Sequence, residues 1–269
     1  MIIGKKVFSE DHTYVMGILN VTPDSFSDGG QFNSISKAID RVAQMIEEGA
    51  SIIDVGGEST RPGFEEVSVE EEIQRTAPVI EAITKRFDVP VSIDTYKAKT
   101  AEEAILAGAA MINDVWGFKK DEQMAKVAAK YDVACCLMHN RKQPVYEDFL
   151  EDLKKDLKES VQIAIAAGVR HEKIILDPGV GFAKSYEENL AAIKYVGELR
   201  KLGYPVLLAT SRKSVIGQTL DLEKDRRVEG TIATTVYGVM EGCNFVRVHD
   251  IKENIRAIKM TEAIRKIQS

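Results

Sequence analysis

The segment TYVMGILNVTPDSFSDGG, residues Thr13 to Gly30, begins with an apolar run and ends in polar residues and paired glycines. Its apolar part, Tyr14 to Leu19, has the length and composition of a buried strand. The polar part that follows is longer than a simple turn requires. The segment therefore predicts a buried strand that ends in a long polar loop, and the rest of the chain repeats this pattern.

Short apolar runs alternate with longer amphipathic stretches along the chain, which is the pattern of βαβ units. Eight apolar runs are present: YVMGIL, SIIDVG, VPVSID, AMIND, VACCLM, KIILD, PVLLAT and NFVRV. Eight parallel strands close a (β/α)8 barrel of typical length about 250 residues, close to the 269 of this chain. We predict an α/β protein with a single TIM-barrel domain over residues 1–269. A doubly wound open sheet is the alternative, disfavoured because no GxGxxG follows the first strand.

Amphipathic segments between these runs predict helices, several of which follow a Ser, Thr or Asp suited to an N-cap. The clearest are Val69 to Arg86, Ala101 to Ala107, Asp121 to Tyr131, Glu147 to Ala167, Tyr186 to Leu202, Asp225 to Glu241 and Lys252 to Ile267. Their alternation with the apolar runs supports the barrel.

Composition and charge argue against several classes of protein. The chain is 44% hydrophobic and 29% charged, which suits a globular protein with a large core. Its net charge of -6 argues against general affinity for nucleic acid or anionic membranes. The three cysteines lack CxxC spacing and are expected to be buried thiols. No apolar run approaches the ~20 residues of a membrane span, so we expect a soluble cytoplasmic protein.

Every apolar run is followed by polar residues, and in parallel sheets the loops at the carboxyl ends of the strands build the site. The residues in chain order are Asn20, Asp54, Asp94, Asn113 and Asp114, His139, Asp177, the SRKS segment 211–214, Arg247 and His249. For one strand, a polar residue that merely starts a loop is a sufficient explanation. The repetition at all eight favours a functional edge.

Three carboxylates lie within apolar strand ends, at Asp54, Asp94 and Asp177. A buried carboxylate is costly unless it is hydrogen-bonded or paired. For Asp54, a neighbouring backbone group or arginine is as good a partner as a ligand, whereas a ligand is favoured for Asp94 and Asp177. A carboxylate accepts well from the paired N–H groups of an aminopyrimidinone edge, as in guanine or a pterin, and Asn113 adds a donor and an acceptor.

Cationic side chains follow the last two apolar runs, at Lys213, Arg247 and His249. Barrels frequently bind phosphate in the loops after strands seven and eight, and strand alternation places Arg247 and His249 on the same side. The cluster predicts a site for a diphosphate ester of a polar heterocycle. The simpler alternative is that Arg247 only neutralises the carboxylates and Lys213 is a surface residue.

The four histidines have neither HxH nor HExxH spacing, so a tightly held zinc ion is not expected. Mg²⁺ carried by substrate phosphates fits better, with Asn20 as a protein oxygen ligand. The segments NVTPDSFSDGG and GGESTRPGFEEVS exceed the usual connection length of about 2 to 6 residues, which predicts lids over the barrel mouth. Ser59, Thr60 and Arg61 in the second loop are suited to meeting an anion.

Seven segments resemble, in this order, those of the dihydropteroate synthase family. They are NVTPDSFSDGG, IIDVGGESTRPG, SIDTYKA, INDVWG, LDPGVGFAKS, SRKS and RVHD, spread from Asn20 to Asp250. The resemblance implies a TIM-barrel transferase that joins 6-hydroxymethyl-7,8-dihydropterin diphosphate to p-aminobenzoate, releases pyrophosphate and is a target of sulfonamides.

The resemblance also implies roles for individual residues. The pterin is held by Asp94, Asn113, Asp177 and Lys213, with Arg247 stacked on its face. The diphosphate is bound by Asn20, Ser59, Thr60, Arg61, Arg247 and His249, with Mg²⁺ at Asn20. p-Aminobenzoate is bound by Phe26, Pro62, Phe182, Lys213 and Ser214. The residues implied to be catalytic are Asp94, Lys213, Arg247 and Asp28, the last by holding the closed loops.

A homodimer is also implied, through outer helices of the C-terminal half, where the segment Thr231 to Met240 is apolar over more than one helical face. Two other functions are weighed against the synthase. A corrinoid-dependent methyltransferase that uses methyltetrahydrofolate would not need the STRPG and SRKS segments, which are both intact. A catalytically silent pterin-binding protein would be expected to lack Asp94, Lys213 or the loop after Asn20.

Overall fold

A computed structural model describes residues 1–22, 30–58 and 66–267, with only the backbone described over 30–34. The predicted site residues Phe26, Asp28, Ser59, Thr60, Arg61 and Pro62 lie outside the described residues. Within the described ranges, no helix has both the length and the apolar character needed to cross a membrane.

The strands of the barrel coincide with the apolar runs of the sequence. A short antiparallel hairpin, β1 (Ile2–Ile3) and β2 (Lys6–Val7), precedes them and was not predicted. In the described part of the chain, eight parallel strands follow: β3 (Tyr14–Asn20), β4 (Ile52–Gly56), β5 (Val91–Asp94), β6 (Met111–Asp114), β7 (Ala134–Met138), β8 (Ile174–Asp177), β9 (Leu207–Leu208) and β10 (Phe245–Val248).

These eight strands close on themselves. Their order in the sheet is β8-β7-β6-β5-β4-β3-β10-β9. The two ends meet through a parallel bridge between Leu176 and Val206, where the Leu176 N–H donates to the Pro205 carbonyl at 2.9 Å. The predicted (β/α)8 barrel is therefore confirmed, and the open-sheet alternative is wrong.

Helices follow the strands of the barrel. They are α1 (Gly30–Glu48), α2 (Val69–Arg86), α3 (Ala98–Leu106), α4 (Met124–Tyr131), α5 (Phe149–Ala166), α6 (Tyr186–Lys194), α7 (Val196–Arg200), α8 (Ser214–Leu220), α9 (Val228–Met240) and α10 (Ile251–Arg265). Side-chain oxygens of Ser68 and Ser185 cap α2 and α6. The prediction of one helix over Tyr186 to Leu202 is wrong, because Tyr195, at φ -97° and ψ 13°, divides it. Helices α1 and α8 were not predicted.

Successive strand residues alternate between two apolar layers. Ile53 and Ile112 belong to the outer layer beneath the helices, whereas their neighbours Ile52 and Met111 belong to an inner layer. Phe8, which follows the hairpin, packs into this inner layer and helps to fill the amino end of the barrel. The opposite, carboxyl end is left for polar side chains. The three cysteines are buried free thiols, as predicted.

Candidate active site

The period of two along a strand places the predicted acids and amide inside the barrel. Asp54, Asn113, Asp177 and Arg247 each lie two residues beyond a member of the inner apolar layer. Asp94 pairs with Asn113 in the register of β5 and β6. Side chains from separate strands thus converge at the carboxyl end of the barrel, as the sequence predicted.

Arg247 bridges two of the buried carboxylates. Its Nε donates to Asp54 Oδ2 at 2.5 Å, and its Nη2 donates to Asp94 Oδ2 at 2.5 Å. Asn113 Nδ2 donates to the same oxygen of Asp54 at 3.1 Å. Burial works against the charge of Arg247, but the two carboxylates outweigh it and raise its pKa. Arg247 therefore neutralises Asp54 and Asp94, as the simpler alternative proposed, and it does so inside the predicted site.

Each of these two carboxylates keeps one oxygen without a partner. Oδ1 of Asp54 and Oδ1 of Asp94 are buried and accept no hydrogen bond from the described residues. An unsatisfied buried acceptor costs about 1–3 kcal/mol. Burial raises the pKa of Asp94 to about 7, with Arg247 opposing and Asp54 adding to the shift. An unsatisfied buried oxygen together with a raised pKa is typical of a carboxylate that binds a ligand.

Asp177 and Lys213 form the opposite side of the cluster. Asp177 Oδ1 accepts from the Gly179 N–H at 2.7 Å, and Lys213 Nζ donates to the Val180 carbonyl. The ammonium of Lys213 also lies 4.9 Å from the centre of the Phe182 ring. Burial lowers the pKa of Lys213 to about 8, with the nearby Asp177 opposing, and burial raises the pKa of Asp177. Lys213 is thus part of the cluster, and the surface alternative is wrong.

The loop after β8 requires glycine at position 179 for a steric reason. Gly179 has φ +70°, and a Cβ atom placed on it would lie 1.9 Å from the carbonyl oxygen of His139. Only glycine fits this contact. Because the N–H of Gly179 is also the donor to Asp177, this close approach fixes the orientation of the carboxylate.

His249 and Asn20 lie at the rim of the same cluster. Nδ1 of His249 is 2.9 Å from Ser211 Oγ, and burial together with Arg247 and Arg212 lowers the pKa of His249 to about 3. Asn20 is exposed at the end of β3. A Cβ atom on Gly56 would lie 3.8 Å from both Asn20 Oδ1 and Asp94 Oδ2, so the two oxygens border the same space.

Two other polar strand ends have a structural role. Asp114, which is buried, accepts from the N–H groups of Trp116 at 2.8 Å and Phe118 at 2.9 Å, and so fixes the turn after β6. His139 contacts Asp156 at 3.0 Å through Nε2 and Lys184 Nζ at 2.9 Å through Nδ1. Their positions in the sequence do not distinguish them from Asp94 or Asp177.

A buried ion cluster that the sequence did not predict lies beside the second loop. Lys97 Nζ contacts Glu58 Oε2 at 2.6 Å and Glu72 Oε2 at 3.0 Å, and all three residues are buried. Glu58 Oε2 also accepts from the Val67 N–H at 2.8 Å. Glu58 and Val67 stand on either side of the segment 59–65. The cluster therefore holds the chain in place on both sides of the predicted anion-binding residues.

The fold and the cluster define a (β/α)8-barrel enzyme with buried acceptors for a polar heterocycle and cations for an anionic group. The family model described as "Pterin binding enzyme" matches residues 16–249. The chain is 62% identical to the dihydropteroate synthase of Clostridium beijerinckii, over 98% of this chain and 99% of that protein. It is 56% identical to the dihydropteroate synthase of Bacillus subtilis, over 95% and 90% of the two chains.

Solved structures agree with these relatives. A dihydropteroate synthase from Clostridium difficile, crystallised in the presence of pteroic acid, superposes with a TM-score of 0.93 at 52% identity and covers 99% of this chain and 100% of its own. The Yersinia pestis enzyme in a sulfonamide drug complex gives a TM-score of 0.93 at 40% identity, with 99% of each chain covered. The chain belongs to the dihydropteroate synthase family of pterin-binding enzymes.

We predict that Lys97→Met destabilises the protein by about 3–5 kcal/mol, because Glu58 and Glu72 would remain buried without their counter-ion. Chemical denaturation measures the loss. The matched control is Lys85→Met, since Lys85 pairs with Glu81 at 2.6 Å but its side chain is 72% exposed. An exposed pair contributes about 0–1 kcal/mol. Equal losses in the two variants would contradict the assignment of a stabilising buried cluster.

Proposed function

We propose that the protein condenses 6-hydroxymethyl-7,8-dihydropterin diphosphate with p-aminobenzoate to give 7,8-dihydropteroate and pyrophosphate, a transferase reaction of folate biosynthesis. The observation that carries the proposal is the set of buried acceptors around Arg247, with oxygens of Asp54 and Asp94 left without a partner. Family membership and the relatives solved with pteroic acid and with a sulfonamide support it, and support sulfonamides as inhibitors.

The acceptors suit the hydrogen-bonding edges of a pterin. Asp177 uses Oδ1 for Gly179, so Oδ2 is its oxygen for the paired N–H groups of the pyrimidinone ring. Asp94 Oδ1 and the Asn113 amide add acceptors and a donor on the neighbouring strands. An apolar wall that includes Met138 and Phe182 lies beside them and suits a flat ring.

Breaking the C–O bond of the pterin diphosphate sends its electron pair to the departing pyrophosphate and leaves a methylene cation delocalised into the ring. The amine nitrogen of p-aminobenzoate then forms the new C–N bond with its lone pair and releases a proton to solvent. A neutral aryl amine needs no general base to attack. The protein stabilises the separating charges: the carboxylate of Asp94 favours the cation, while Arg247 and His249 favour the anion.

The residues present fit a Mg²⁺ ion that arrives with the diphosphate. Among the described residues, no group of three or more His, Cys, Asp or Glu side chains is arranged to hold a metal by itself. Asn20 Oδ1 borders the same space as Asp94 and would offer such an ion one protein oxygen. When bound, Mg²⁺ would neutralise charge on the leaving group.

p-Aminobenzoate is assigned to the rim beside Lys213. The alkyl stem of Lys213 approaches the position of a Cβ on Gly181 to 3.2 Å, and its ammonium lies over the Phe182 ring. Ser214 begins α8 and is exposed, so its hydroxyl and backbone N–H are available to a carboxylate. The resemblance assigns Phe26 and Pro62 to the same pocket, and we include them in the proposed p-aminobenzoate site.

A homodimer in the cytoplasm completes the proposal. Tyr237 and Met240 on α9 and Met260 and Ile264 on α10 are exposed apolar residues, between 38% and 62% accessible. Helices α9 and α10 pack together, so these side chains suit a second copy of the chain. The buried free thiols suit a reducing compartment.

The direct test is to mix the purified protein with pterin diphosphate, p-aminobenzoate and Mg²⁺ and to measure pyrophosphate and dihydropteroate. Equal amounts of both products are expected. Methyl transfer from methyltetrahydrofolate to a corrinoid would instead support the methyltransferase. Pterin binding without product would support a catalytically silent protein.

Asp177→Asn is expected to weaken pterin binding by about 10- to 150-fold, the contribution of a hydrogen bond to a charged group. If the amide oxygen keeps the bond to Gly179, its NH₂ group faces the N–H donors of the pterin. Calorimetric titration of the folded variant measures the change. Asp114→Asn is the control, because among the described residues that carboxylate accepts from the turn after β6, so that its loss should affect stability. Unchanged pterin affinity in folded Asp177→Asn would remove Asp177 from the site.

Ser214→Ala is expected to raise the KM for p-aminobenzoate and to change sulfonamide inhibition in parallel, with little change in the KM for pterin diphosphate. Lys213→Ala is expected to weaken both substrates, because Lys213 lies between Asp177 and Phe182. Steady-state kinetics with each substrate varied separates the two effects. If Ser214→Ala raised the KM for pterin diphosphate alone, the assignment of Ser214 to the p-aminobenzoate end of the site would be wrong.

Sedimentation velocity is expected to give a dimer mass, and Ile264→Lys is expected to shift it toward monomer, because a charge would be buried in the interface. Leu106→Lys, on α3 and 62% exposed, is the matched control and should not change the mass. A monomer mass that does not depend on concentration would refute the proposed dimer.

A further inference from the structure

Ser211 follows β9 and makes two contacts with a single residue of the site. Its Oγ accepts from the backbone N–H of His249 at 3.1 Å and lies 2.9 Å from Nδ1 of the same histidine. Ser211 is only 6% exposed. The sequence predicts roles for Lys213 and Ser214 of the SRKS segment but none for Ser211.

The contact between Ser211 Oγ and His249 Nδ1 couples the hydroxyl proton to the tautomer of the ring. Because Oγ already accepts from the backbone N–H, its own proton needs an acceptor. Among the described residues, the acceptor in contact with this hydroxyl is His249 Nδ1. A hydroxyl that donates to Nδ1 leaves the proton of the imidazole on Nε2.

The surroundings of His249 favour the neutral ring. Arg247 lies two residues before it on β10, and Arg212, which pairs with Asp250, lies on the other side. Burial and these two cations disfavour an added proton. The backbone is held as well, because Arg41 Nη2 donates to the His249 carbonyl at 3.2 Å. With Nδ1 accepting from Ser211, the ring would offer a donor at Nε2 without carrying a positive charge.

We propose that Ser211 is a positioning residue that holds His249 as the Nε2–H tautomer, so that Nε2 donates a hydrogen bond to the diphosphate of the substrate and of the departing product. The half of this inference that concerns the diphosphate rests on the proposed function. In the opposite tautomer the lone pair of Nε2 would face an anion, and that contact is repulsive. His249 then acts as a hydrogen-bond donor and does not transfer a proton to pyrophosphate.

The tautomer is tested by ¹⁵N NMR of the full-length protein labelled at histidine, with the signals of His249 identified by their loss in His249→Gln. The expected pattern is a protonated Nε2 in the wild-type protein and a mixture of tautomers in Ser211→Ala. Ser211→Thr keeps the hydroxyl and should restore the wild-type pattern. Thr235→Val removes another buried hydroxyl, one that donates to Asn254 at 2.7 Å, and should leave the His249 pattern unchanged.

Binding of inorganic pyrophosphate with Mg²⁺ provides the functional readout. Ser211→Ala should weaken it by about 2- to 12-fold, the usual range for one hydrogen bond, with Ser211→Thr close to wild type. Pyrophosphate should also shift the mixed tautomers of Ser211→Ala toward Nε2–H. An Nδ1–H pattern in the wild-type protein, or no change in Ser211→Ala, would overturn the inference.

The two parts fail separately. If the tautomer responds to Ser211 as expected but His249→Leu, which has no donor, binds pyrophosphate as tightly as the wild type, the diphosphate role of His249 is wrong and the positioning by Ser211 stands. If pyrophosphate affinity falls in His249→Leu while Ser211→Ala changes neither the tautomer nor the affinity, the diphosphate role stands and the positioning is wrong.

Discussion

The bridge that Arg247 makes between Asp54 and Asp94 is the interaction on which the interior of the barrel depends. These residues lie on β10, β4 and β5, and Arg247 is 193 and 153 residues away from its partners in the chain. Removing one member would leave an uncompensated buried charge, which is strongly destabilising. The bridge forms only when the first and last barrel strands pair, since β10 lies beside β3 and β3 beside β4. Assembly of the site therefore requires the pairing of β10 with β3.

The same bridge leaves the site chemically incomplete. Arg247 bonds one oxygen of each carboxylate, and the other oxygens of Asp54 and Asp94 remain buried without donors among the described residues. A protein selected for stability alone would satisfy these oxygens or replace them with apolar groups. A ligand with N–H donors recovers the cost on binding, so the unsatisfied acceptors favour that ligand over apolar molecules of similar shape.

Around this centre, buried polar groups outside the site hold its loops. The Lys97 cluster fixes the chain at Glu58 and Val67, on either side of the second loop. Lys184 Nζ donates to the carbonyls of Gly179 and Phe182, each at 3.0 Å, and so fixes the loop that carries Phe182 beside Asp177. Sites held by such supporting contacts keep their geometry better than sites on free loops. Charged groups outside the cluster around Arg247 thus hold the loops at the mouth of the barrel.

The sequence by itself determined the eight strands, the barrel and the family, because apolar periodicity and the ordered polar segments are local properties of the chain. It did not separate Asp94, which faces the interior, from Asp114, which fixes a turn. Strands buried on both faces show no polar alternation, so their sequence does not reveal which side is inward. The Lys97 cluster and the contact of Ser211 with His249 were hidden for a related reason: their partners are distant in the chain, and only packing of the closed barrel brings them together.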